Sequence, residues 1–354
     1  MGIREDKNKQ AEAYLQYLVA NLNSGEVLPP LRQMMRDSGL GRNVLENALR
    51  KLEASHKLKI RARSGIYVIG EDGGPDENYV DIIACSEINY LNSSIPGCFA
   101  LRLLNTILSE VATHSYIPRL HRVNYYALVT EYAELIQKQK IRRAILLMPH
   151  HNDIPRLFAA AGVPHVVILP RYYPDRGPAV IDSPEIVEIQ LNHLFEHGHR
   201  KIGFIHSVDL GMDFLTGLLR RESFYRFMGE HALPVHPEWV IHYTLDHSKL
   251  RERFDLMFST SEHPTAIVVE DWVLKSVYTC MNERGLEIGK DISIISSDGQ
   301  VGGLTPLPAS VINSPVKIAE LGWSFFEQSL KEPDFSAIDS VEPGIQEGQS
   351  VATL

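Results

Sequence analysis

Short apolar runs alternate with amphipathic helical stretches along most of the chain, and this alternation limits the folds that the chain can adopt. The runs include VDIIAC, AILLMP, HVVILP, KIGFIH, TAIVV, DISIIS and ASVIN. Continuous apolar runs are typical of parallel strands buried on both faces, and the helices between them supply the crossover connections. So many runs fit two doubly wound halves better than one. The pattern therefore predicts an α/β body.

The first seventy residues follow a different pattern, with three helical segments and a hairpin. In the third helix Leu45, Ala48, Leu49 and Leu52 recur at i, i+3, i+4 and i+7, which places them on one face. The segments LKIRA and GIYVI then flank a short turn and are typical of a two-stranded wing. We predict a small α+β winged helix-turn-helix domain over residues 1–70.

Composition separates this head from the body. The stretch GEDGGPDEN at residues 70–78 is rich in Gly and acidic residues, so we expect a linker at 71–78 and a body at 79–330. Residues 331–354 have weak periodicity and an acidic bias, which predicts a flexible tail.

Charge is divided unequally between these parts. Residues 1–70 hold twelve Lys and Arg against seven Asp and Glu, whereas the whole chain has a formal net charge of −9. A basic head can meet a polyanion that an acidic body would repel.

Targeting and redox signals point to the cytoplasm. There is no apolar run of transmembrane length and no secretory leader in the sequence MGIREDKNKQ, so we expect no membrane association. Three cysteines without CxxC spacing argue against a disulfide framework or a cysteine zinc site.

The polar face of the third helix is a candidate DNA-reading surface. It carries Arg42, Asn43, Glu46, Asn47 and Arg50. Arg and Asn read guanine and adenine edges in the major groove, and Glu accepts from cytosine N4. Arg32, Arg61 and Arg63 would then lie near phosphates. The alternative is an ordinary solvated helix face, but the short preceding helix, the wing and the basic charge favour DNA.

A second candidate site follows from the body's topology, because ligands of open α/β sheets bind at the carboxyl ends of the strands. The candidate residues after these strands are Ser86, Arg171, Glu270, Asp271, Trp272 and Asp298, with His150 and Tyr172 beside them. Carboxylates and guanidinium groups bind hydroxyls, and aromatic faces cover C–H surfaces, so the lining suits a small polar ligand, best a sugar. The alternative is that strand ends are polar simply because loops are.

The sequence gives weaker support for a metal site or an enzyme active site than for these two candidate binding sites. His193 and His197 are spaced i, i+4, as in zinc sites, but a helix end capped by His197, Gly198, His199 and Arg200 explains the cluster better. The sequence lacks GxGxxG after a strand, GxxxxGK[ST] and GxSxG motifs. We expect no catalytic residues, no cofactor and no metal.

The head resembles the GntR-type winged helix-turn-helix family. The resemblance rests on Leu28-Pro29 before the second helix, Arg32 inside it and Arg42 at the start of the recognition helix, followed by ALRKL and GIYV. Gly41 replaces the family's Ser before Arg42, which removes a helix cap and a phosphate contact. The resemblance implies binding to double-stranded DNA.

The body resembles the LacI/GalR effector domain, whose fold is periplasmic-binding-protein-like with two doubly wound subdomains. The matching segments are HLFEHGHRKIGFI, PTAIVVEDW, RGLEIGKDISIISSDG and PLPASVINSPVKIAELG. The resemblance implies crossovers near residues 180 and 312 and ligand contacts from Arg220, Glu270-Asp271 and Asp298. Glu270 stands where the family has Asn, and this carboxylate favours hydroxyl-rich or cationic ligands.

The order of the two parts is similar to the AraR-type architecture, a GntR head on a LacI-type sensor. This implies a ligand-responsive transcription regulator that binds a palindromic operator as a homodimer and a sugar as its effector. We predict a repressor, although the sequence does not separate a repressor from an activator. The alternatives are a solute-binding protein and a sugar-processing enzyme with an α/β core.

Overall fold

The computed structural model describes residues 3–20, 22, 26–54, 57–61, 65–68, 78–85, 99–123, 127–207, 215–243, 247–299 and 301–354. It contains two compact units. The smaller is formed mainly by Met1–Tyr79, and the larger by most of the residues from Val80 to Leu354.

The smaller unit packs three helices against a two-stranded sheet. The helices are α1 (Ile3–Ala20), α2 (Leu31–Ser38) and α3 (Arg42–Ala54), and the strands are β1 (Leu58–Arg61) and β2 (Gly65–Val68). The strands pair antiparallel with Leu58 opposite Val68. The predicted apolar face of α3 is buried in one core with Leu15 of α1 and Met34 of α2.

A tight turn joins α2 to α3. Gly39 ends α2 in the left-handed conformation at φ +68°, and its N–H donates to the Met35 carbonyl at 3.1 Å. The Ser38 hydroxyl accepts from the Leu40 N–H at 3.2 Å and donates to the Met34 carbonyl at 2.6 Å. Since glycine adopts positive φ without steric cost, this turn fixes the short helix-turn-helix geometry that the sequence predicts.

The strands of the larger unit are β3 (Tyr79–Ala84), β4 (Ile117–Arg122), β5 (Ala144–Leu147), β6 (His165–Ile168), β7 (Ala179–Val180), β8 (Ile202–Ser207), β9 (Val240–Tyr243), β10 (Ala266–Val269), β11 (Ser293–Ser297), β12 (Ala309–Ile312), β13 (Ile338–Asp339) and β14 (Gly344–Gln346). Its helices are α4 (Phe99–Thr113), α5 (Val129–Lys138), α6 (Asp153–Ala160), α7 (Ile186–Glu196), α8 (Leu215–Glu230), α9 (His247–Met257), α10 (Asp271–Glu283) and α11 (Pro315–Lys331), with a 3-10 turn at Pro237–Trp239.

These strands form two six-stranded sheets. The first has the order β13-β7-β6-β5-β3-β4 and the second the order β14-β12-β11-β10-β8-β9. The central pairs are parallel, and β14 pairs antiparallel with β12. Apolar clusters cover both faces of each sheet, so the predicted architecture of two doubly wound halves is confirmed. Among the helices in the described ranges, none has the length and apolar character of a membrane span.

Three chain segments connect the two sheets. Residues 181–185 lead from β7 to α7, which packs on the second sheet. Residues 313–314 lead from β12 to α11, which packs on the first sheet, and residues 340–343 lead from β13 to β14. Any movement of one half against the other must therefore be absorbed in these three segments.

The prediction of a flexible tail at residues 331–354 is wrong. Residues in this segment form β13 and β14, each paired into a sheet. The Ile294 N–H donates to the Ser350 carbonyl at 2.8 Å, and a Cβ on Gly348 would collide with the backbone at Ala309. These contacts are mostly made by main-chain atoms, so side-chain periodicity gives no sign of them.

Ser350 offers a test of how strongly this segment is held. Its buried hydroxyl accepts from the Ala309 N–H at 2.8 Å and donates to the Ile294 carbonyl. Ser350→Ala leaves the Ala309 amide buried without its acceptor, which costs about 1–3 kcal/mol of unfolding free energy. Urea unfolding should show this loss, and the exposed control Ser261→Ala should stay within about 0.5 kcal/mol of the parent. Equal stability of the two variants would contradict a docked tail.

Candidate functional site

A buried arginine lies where the second sheet meets the crossover that follows β7. Arg220, on α8, is 7% exposed. Its Nη2 donates to Asp182 Oδ2 at 3.3 Å, and its Nη1 lies 3.3 Å from both Ser297 Oγ and Glu270 Oε1. A guanidinium removed from water needs such charged partners, so this group defines a specific polar centre. We call Arg220, Asp182, Glu270, Asp298 and Asn313 the Arg220 cluster.

The partners reach Arg220 because parallel strands end at the same edge of a sheet. Glu270 follows β10, and Ser297 is the last residue of β11, which is the next strand in the sheet. Asp182 instead follows β7 of the first sheet, inside a crossover. Arg220 therefore ties the second sheet to a segment that connects it to the first.

A second crossover residue joins the same cluster. Asn313 is fully buried after β12, and its Nδ2 donates to Asp182 Oδ1 at 2.9 Å. Within the described residues, neither Asn313 Oδ1 nor Arg220 Nε has a hydrogen-bond partner. Buried polar atoms without partners are uncommon in proteins. At the connection between the halves, Asn313 Oδ1 can therefore still accept a hydrogen bond and Arg220 Nε can still donate one.

The cluster is electrostatically unbalanced. Burial opposes the charge on Arg220, but the carboxylates of Asp182 and Glu270 raise its pKa above the ordinary value, so it stays protonated. Burial also raises the pKa of the Asp298 carboxyl to about 7, against the opposing charge of Arg220. Three neighbouring carboxylates add to that rise, those of Asp271, Asp182 and Glu270. Asp298 is thus easily kept neutral by its surroundings.

Backbone geometry also sets Asp298 apart. It follows β11 with φ +70°, a left-handed conformation that is uncommon outside glycine, although Asp tolerates it better than most residues. Its N–H donates to the Val311 carbonyl at 2.9 Å, which holds the turn against β12. Unusual backbone conformations held by their surroundings are frequent at functional sites.

An aromatic ring borders the cluster. Trp272 is 38% exposed, and its Nε1 donates to Glu270 Oε2 at 2.6 Å, so the same carboxylate orients both the indole and Arg220. Asp271 between them is buried at the first position of α10, where the helix dipole favours a negative charge. A flat ring beside several acceptors suits a ligand with both C–H faces and hydrogen-bond donors.

The first sheet contributes a different set of side chains at its own strand ends. Arg171 follows β6, and its carbonyl accepts from the Leu215 N–H at 3.1 Å, where α8 begins. The Arg171 charge acts on His150, whose pKa is lowered chiefly by burial, and on Cys85, whose pKa burial raises to about 12. The ends of these first-sheet strands therefore place one arginine near two groups that burial keeps neutral, His150 and Cys85.

The predicted ligand residues are only partly brought together. Arg220, Glu270, Asp271, Trp272 and Asp298 gather at the edge of the second sheet, and Arg171 stands at the end of β6 in the first. Ser86 lies outside the described residues. Sequence reasoning did not select Asn313, because its role arises only where two crossovers meet.

The polar face of α3 is placed as predicted. Arg42, Asn43, Asn47 and Arg50 are exposed, Glu46 is half-buried, and Arg32 is exposed on α2. Arg42 Nε donates to Glu46 Oε1 at 2.8 Å, so one candidate base-reading arginine is held by an adjacent carboxylate. The side chain of Arg61, and Arg63 as a whole, lie outside the described residues.

The His-rich stretch forms a helix end, as the sequence predicts. α7 stops at Glu196, and the Arg200 guanidinium donates to the Phe195 carbonyl at 2.8 Å. The His199 ring contacts Thr265 Oγ1 at 2.9 Å and the Ala352 carbonyl at 3.1 Å. In the described part of the chain, no three His, Cys, Asp or Glu residues are placed to hold a metal ion.

Asp298 gives a pH-dependent prediction. In an unfolded chain an Asp ionises near pH 4, whereas folded Asp298 keeps its proton to about pH 7. Stability is therefore lost as pH rises through this window, because the unfolded state releases the proton first. Asp298→Asn has no proton to release, so its melting temperature should exceed that of the parent by several degrees at pH 8 and by much less at pH 5. If calorimetric scans give the same difference in melting temperature between Asp298→Asn and the parent at pH 5 and at pH 8, the raised pKa of Asp298 is contradicted.

Two sequence families match the chain. Residues 8–68 match the bacterial regulatory proteins of the gntR family, and residues 191–323 match the periplasmic binding protein-like domain. Both are regulatory or binding domains, in agreement with the prediction that the chain is not an enzyme.

Individual relatives are transcriptional repressors by name. The HTH-type transcriptional repressor PurR of Haemophilus influenzae is 25% identical over 175 residues, which cover 48% of this chain. The chain spans about half the length of that relative, 51%. The arabinose metabolism transcriptional repressor of Geobacillus stearothermophilus is 30% identical over 144 residues, 38% of each chain.

Solved structures share the fold. A regulatory protein of the LacI family from Chloroflexus aggregans superposes with a TM-score of 0.67 at 17% identity, covering 77% of this chain and 98% of that one. At this identity the likeness concerns the fold alone. The chain thus carries an N-terminal region that matches the gntR family and a larger region that matches the periplasmic binding protein-like domain and shares its fold with LacI-family structures.

Proposed function

We propose that the protein is a ligand-responsive transcriptional repressor. Its head binds operator DNA, and the cleft between the two sheets of its larger unit binds a small polar effector, a sugar. The observation that carries this proposal is the Arg220 cluster, which combines unused hydrogen-bonding capacity with residues from two of the three crossovers.

The head supports the DNA-binding half of the proposal. The exposed Arg and Asn side chains on α3 are the residue types that read guanine and adenine edges when a helix enters the major groove. The ion pair between Arg42 and Glu46 is an exposed i, i+4 contact that water screens, so DNA can displace it. A homodimer would present two heads to half-sites of a palindromic operator about one helical turn apart.

The larger unit supports the sensing half. An effector that contacts Arg220 or Asp298 acts beside residues 181–185 and 313–314, so its binding energy can favour one arrangement of the two halves. A coupling of about 1–3 kcal/mol between effector and DNA would change operator affinity roughly 5–150-fold. The name of the arabinose metabolism relative favours a sugar, and the names of both relatives favour repression.

The recognition helix is tested by the double change Arg42→Ala and Arg50→Ala. Loss of two base-reading groups, each worth about 1–3 kcal/mol, should weaken specific operator binding at least about 30-fold. Fluorescence anisotropy with DNA flanking the protein's own gene measures this. The control Arg226→Ala removes a surface arginine of the larger unit and should bind normally. Undiminished affinity of the double variant would place the DNA-reading surface elsewhere.

The effector site is tested by Asp298→Ala. This variant should keep operator affinity within about twofold of the parent and lose the change in affinity that the effector causes, because the head is untouched. The effector is first identified by a thermal-shift screen of sugars, since a bound ligand raises stability by mass action. The exposed control Asp334→Ala should keep the full response. A full response in Asp298→Ala would exclude the Arg220 cluster as the effector site.

A further inference from the structure

Two side chains bind the two oxygens of one buried carboxylate, and each keeps one polar atom without a partner. Arg220 Nη2 donates to Asp182 Oδ2 at 3.3 Å, and Asn313 Nδ2 donates to Asp182 Oδ1 at 2.9 Å. Arg220 is 7% exposed, and Asn313 is fully buried. Among the described residues, the Arg220 Nε–H has no acceptor and Asn313 Oδ1 has no donor. An unused donor and an unused acceptor therefore lie on the two side chains that hold Asp182.

The neighbours of these two atoms fix which one donates and which one accepts. Turning the Asn313 amide over would place its Oδ1 against Asp182 Oδ1, where Nδ2 now donates, so the atom left over is the acceptor. Arg220 Nη1 lies 3.3 Å from both Ser297 Oγ and Glu270 Oε1, and Nη2 is bound to Asp182, so Nε is the nitrogen left over. A guanidinium keeps its protons in proteins, so Nε is always a donor.

These two atoms require opposite partners, and this requirement selects the chemistry of a ligand. A carboxylate or phosphate group only accepts hydrogen bonds, so it would pair with Arg220 Nε and leave Asn313 Oδ1 facing another acceptor. An ammonium group only donates, so it would pair with Oδ1 and face the N–H of a guanidinium. A hydroxyl group both donates and accepts, as does a pair of neighbouring hydroxyls. Because a buried polar atom left unpaired costs free energy, hydroxyl groups match the two atoms best.

Resting on the proposed function, we infer that Asn313 is an effector-binding residue, and that the effector presents one hydroxyl, or two neighbouring hydroxyls, to Asn313 Oδ1 and Arg220 Nε. The effector is therefore a neutral sugar rather than an amino sugar, a sugar acid or a sugar phosphate. Asn313 belongs to the crossover at 313–314, and Arg220 is bound to Asp182 in the crossover at 181–185. The same hydroxyl group thus acts on one crossover directly and on the other through Arg220.

The test uses calorimetry on the wild-type full chain. D-galactose, D-glucose, D-xylose, D-ribose and L-arabinose are titrated first. The tightest binder is then compared with analogues in which hydrogen, fluorine or an amino group replaces one hydroxyl at a time. At one ring position or more, each of these replacements should lower affinity by about tenfold or more. Hydrogen neither donates nor accepts, fluorine does not donate, and a protonated amine does not accept.

Three results of this scan overturn the inference. They are the absence of a ring position at which every replacement weakens binding, tighter binding of an amino or acidic analogue than of the neutral sugar, and binding of none of the five sugars. A sugar that fails the scan but still changes operator affinity leaves the proposed repressor intact. Failure of the wild-type chain to bind operator in the anisotropy assay would instead overturn the proposed function, so the two failures are distinguishable.

Asn313→Ala connects the critical hydroxyl to its residue. The variant lacks Oδ1, so replacing that hydroxyl by hydrogen should lower affinity by at least about threefold less in the variant than in the parent. The lost bond to Asp182 affects the sugar and its deoxy analogue equally, so it cancels in this comparison. Asn313→Ser serves the same comparison if Asn313→Ala does not fold.

The matched control is Asn192→Ala, which removes an exposed amide from α7 and should keep the full loss of affinity seen in the parent. An equal loss in the Asn313 variant and the parent would show that the sugar hydroxyl does not reach Asn313. A buried water molecule rather than the effector would then be the partner of Oδ1, and the assignment of Asn313 as an effector-binding residue would be wrong.

Discussion

The buried guanidinium of Arg220 and the carboxylates that share it are the constraint on which the larger unit depends. Removing one partner from a buried ion pair costs about 3–5 kcal/mol, because the remaining charge stays in a low-dielectric site. Asp182 comes from a crossover and Glu270 from a strand end of the second sheet, so the pair holds the crossover in a defined position. Asn313 adds the second crossover by its bond to Asp182. At the Arg220 cluster the connection between the two halves is thus made by specific polar contacts.

Much of this arrangement follows from the sequence, because each sheet is built from local signals. Continuous apolar runs mark the strands, and the carboxyl-end rule then selects Glu270 and Asp298 without knowledge of the tertiary structure. Arg220 could not be found by that rule, since it lies on a helix, and only the resemblance to a family pointed to it. Asn313 and the docking of residues 331–354 depend on where distant segments cross. Main-chain pairing of such short strands leaves almost no trace in side-chain patterns.

In the head, too, the sequence pattern predicts some features of the structure and leaves others open. Helical periodicity determines that Leu45, Leu49 and Leu52 face inward, and therefore that Arg42 and Arg50 face solvent. It does not decide whether Arg42 bonds to Glu46 or projects from the helix, because both rotamers lie on the exposed face, where an i, i+4 pair is weak. The structure shows the paired form. Contact with a base edge would exchange this weak pair for a stronger bidentate one.

Under the proposed function, the burial of Asp298 gives a physical reason why closure of the two halves would require a ligand. Any movement that removes more water from Asp298 raises the cost of its ionised form, and the pKa near 7 shows that this cost is already large. A donor or a cation from the ligand would offset that cost, and it would do so most effectively in the closed arrangement, where water competes least. A ligand shifts an equilibrium only by its differential affinity for the two states. Under the proposed function, the buried carboxyl of Asp298 provides such a difference, because closure without a ligand deepens its burial and closure around a ligand that donates to it offsets that cost.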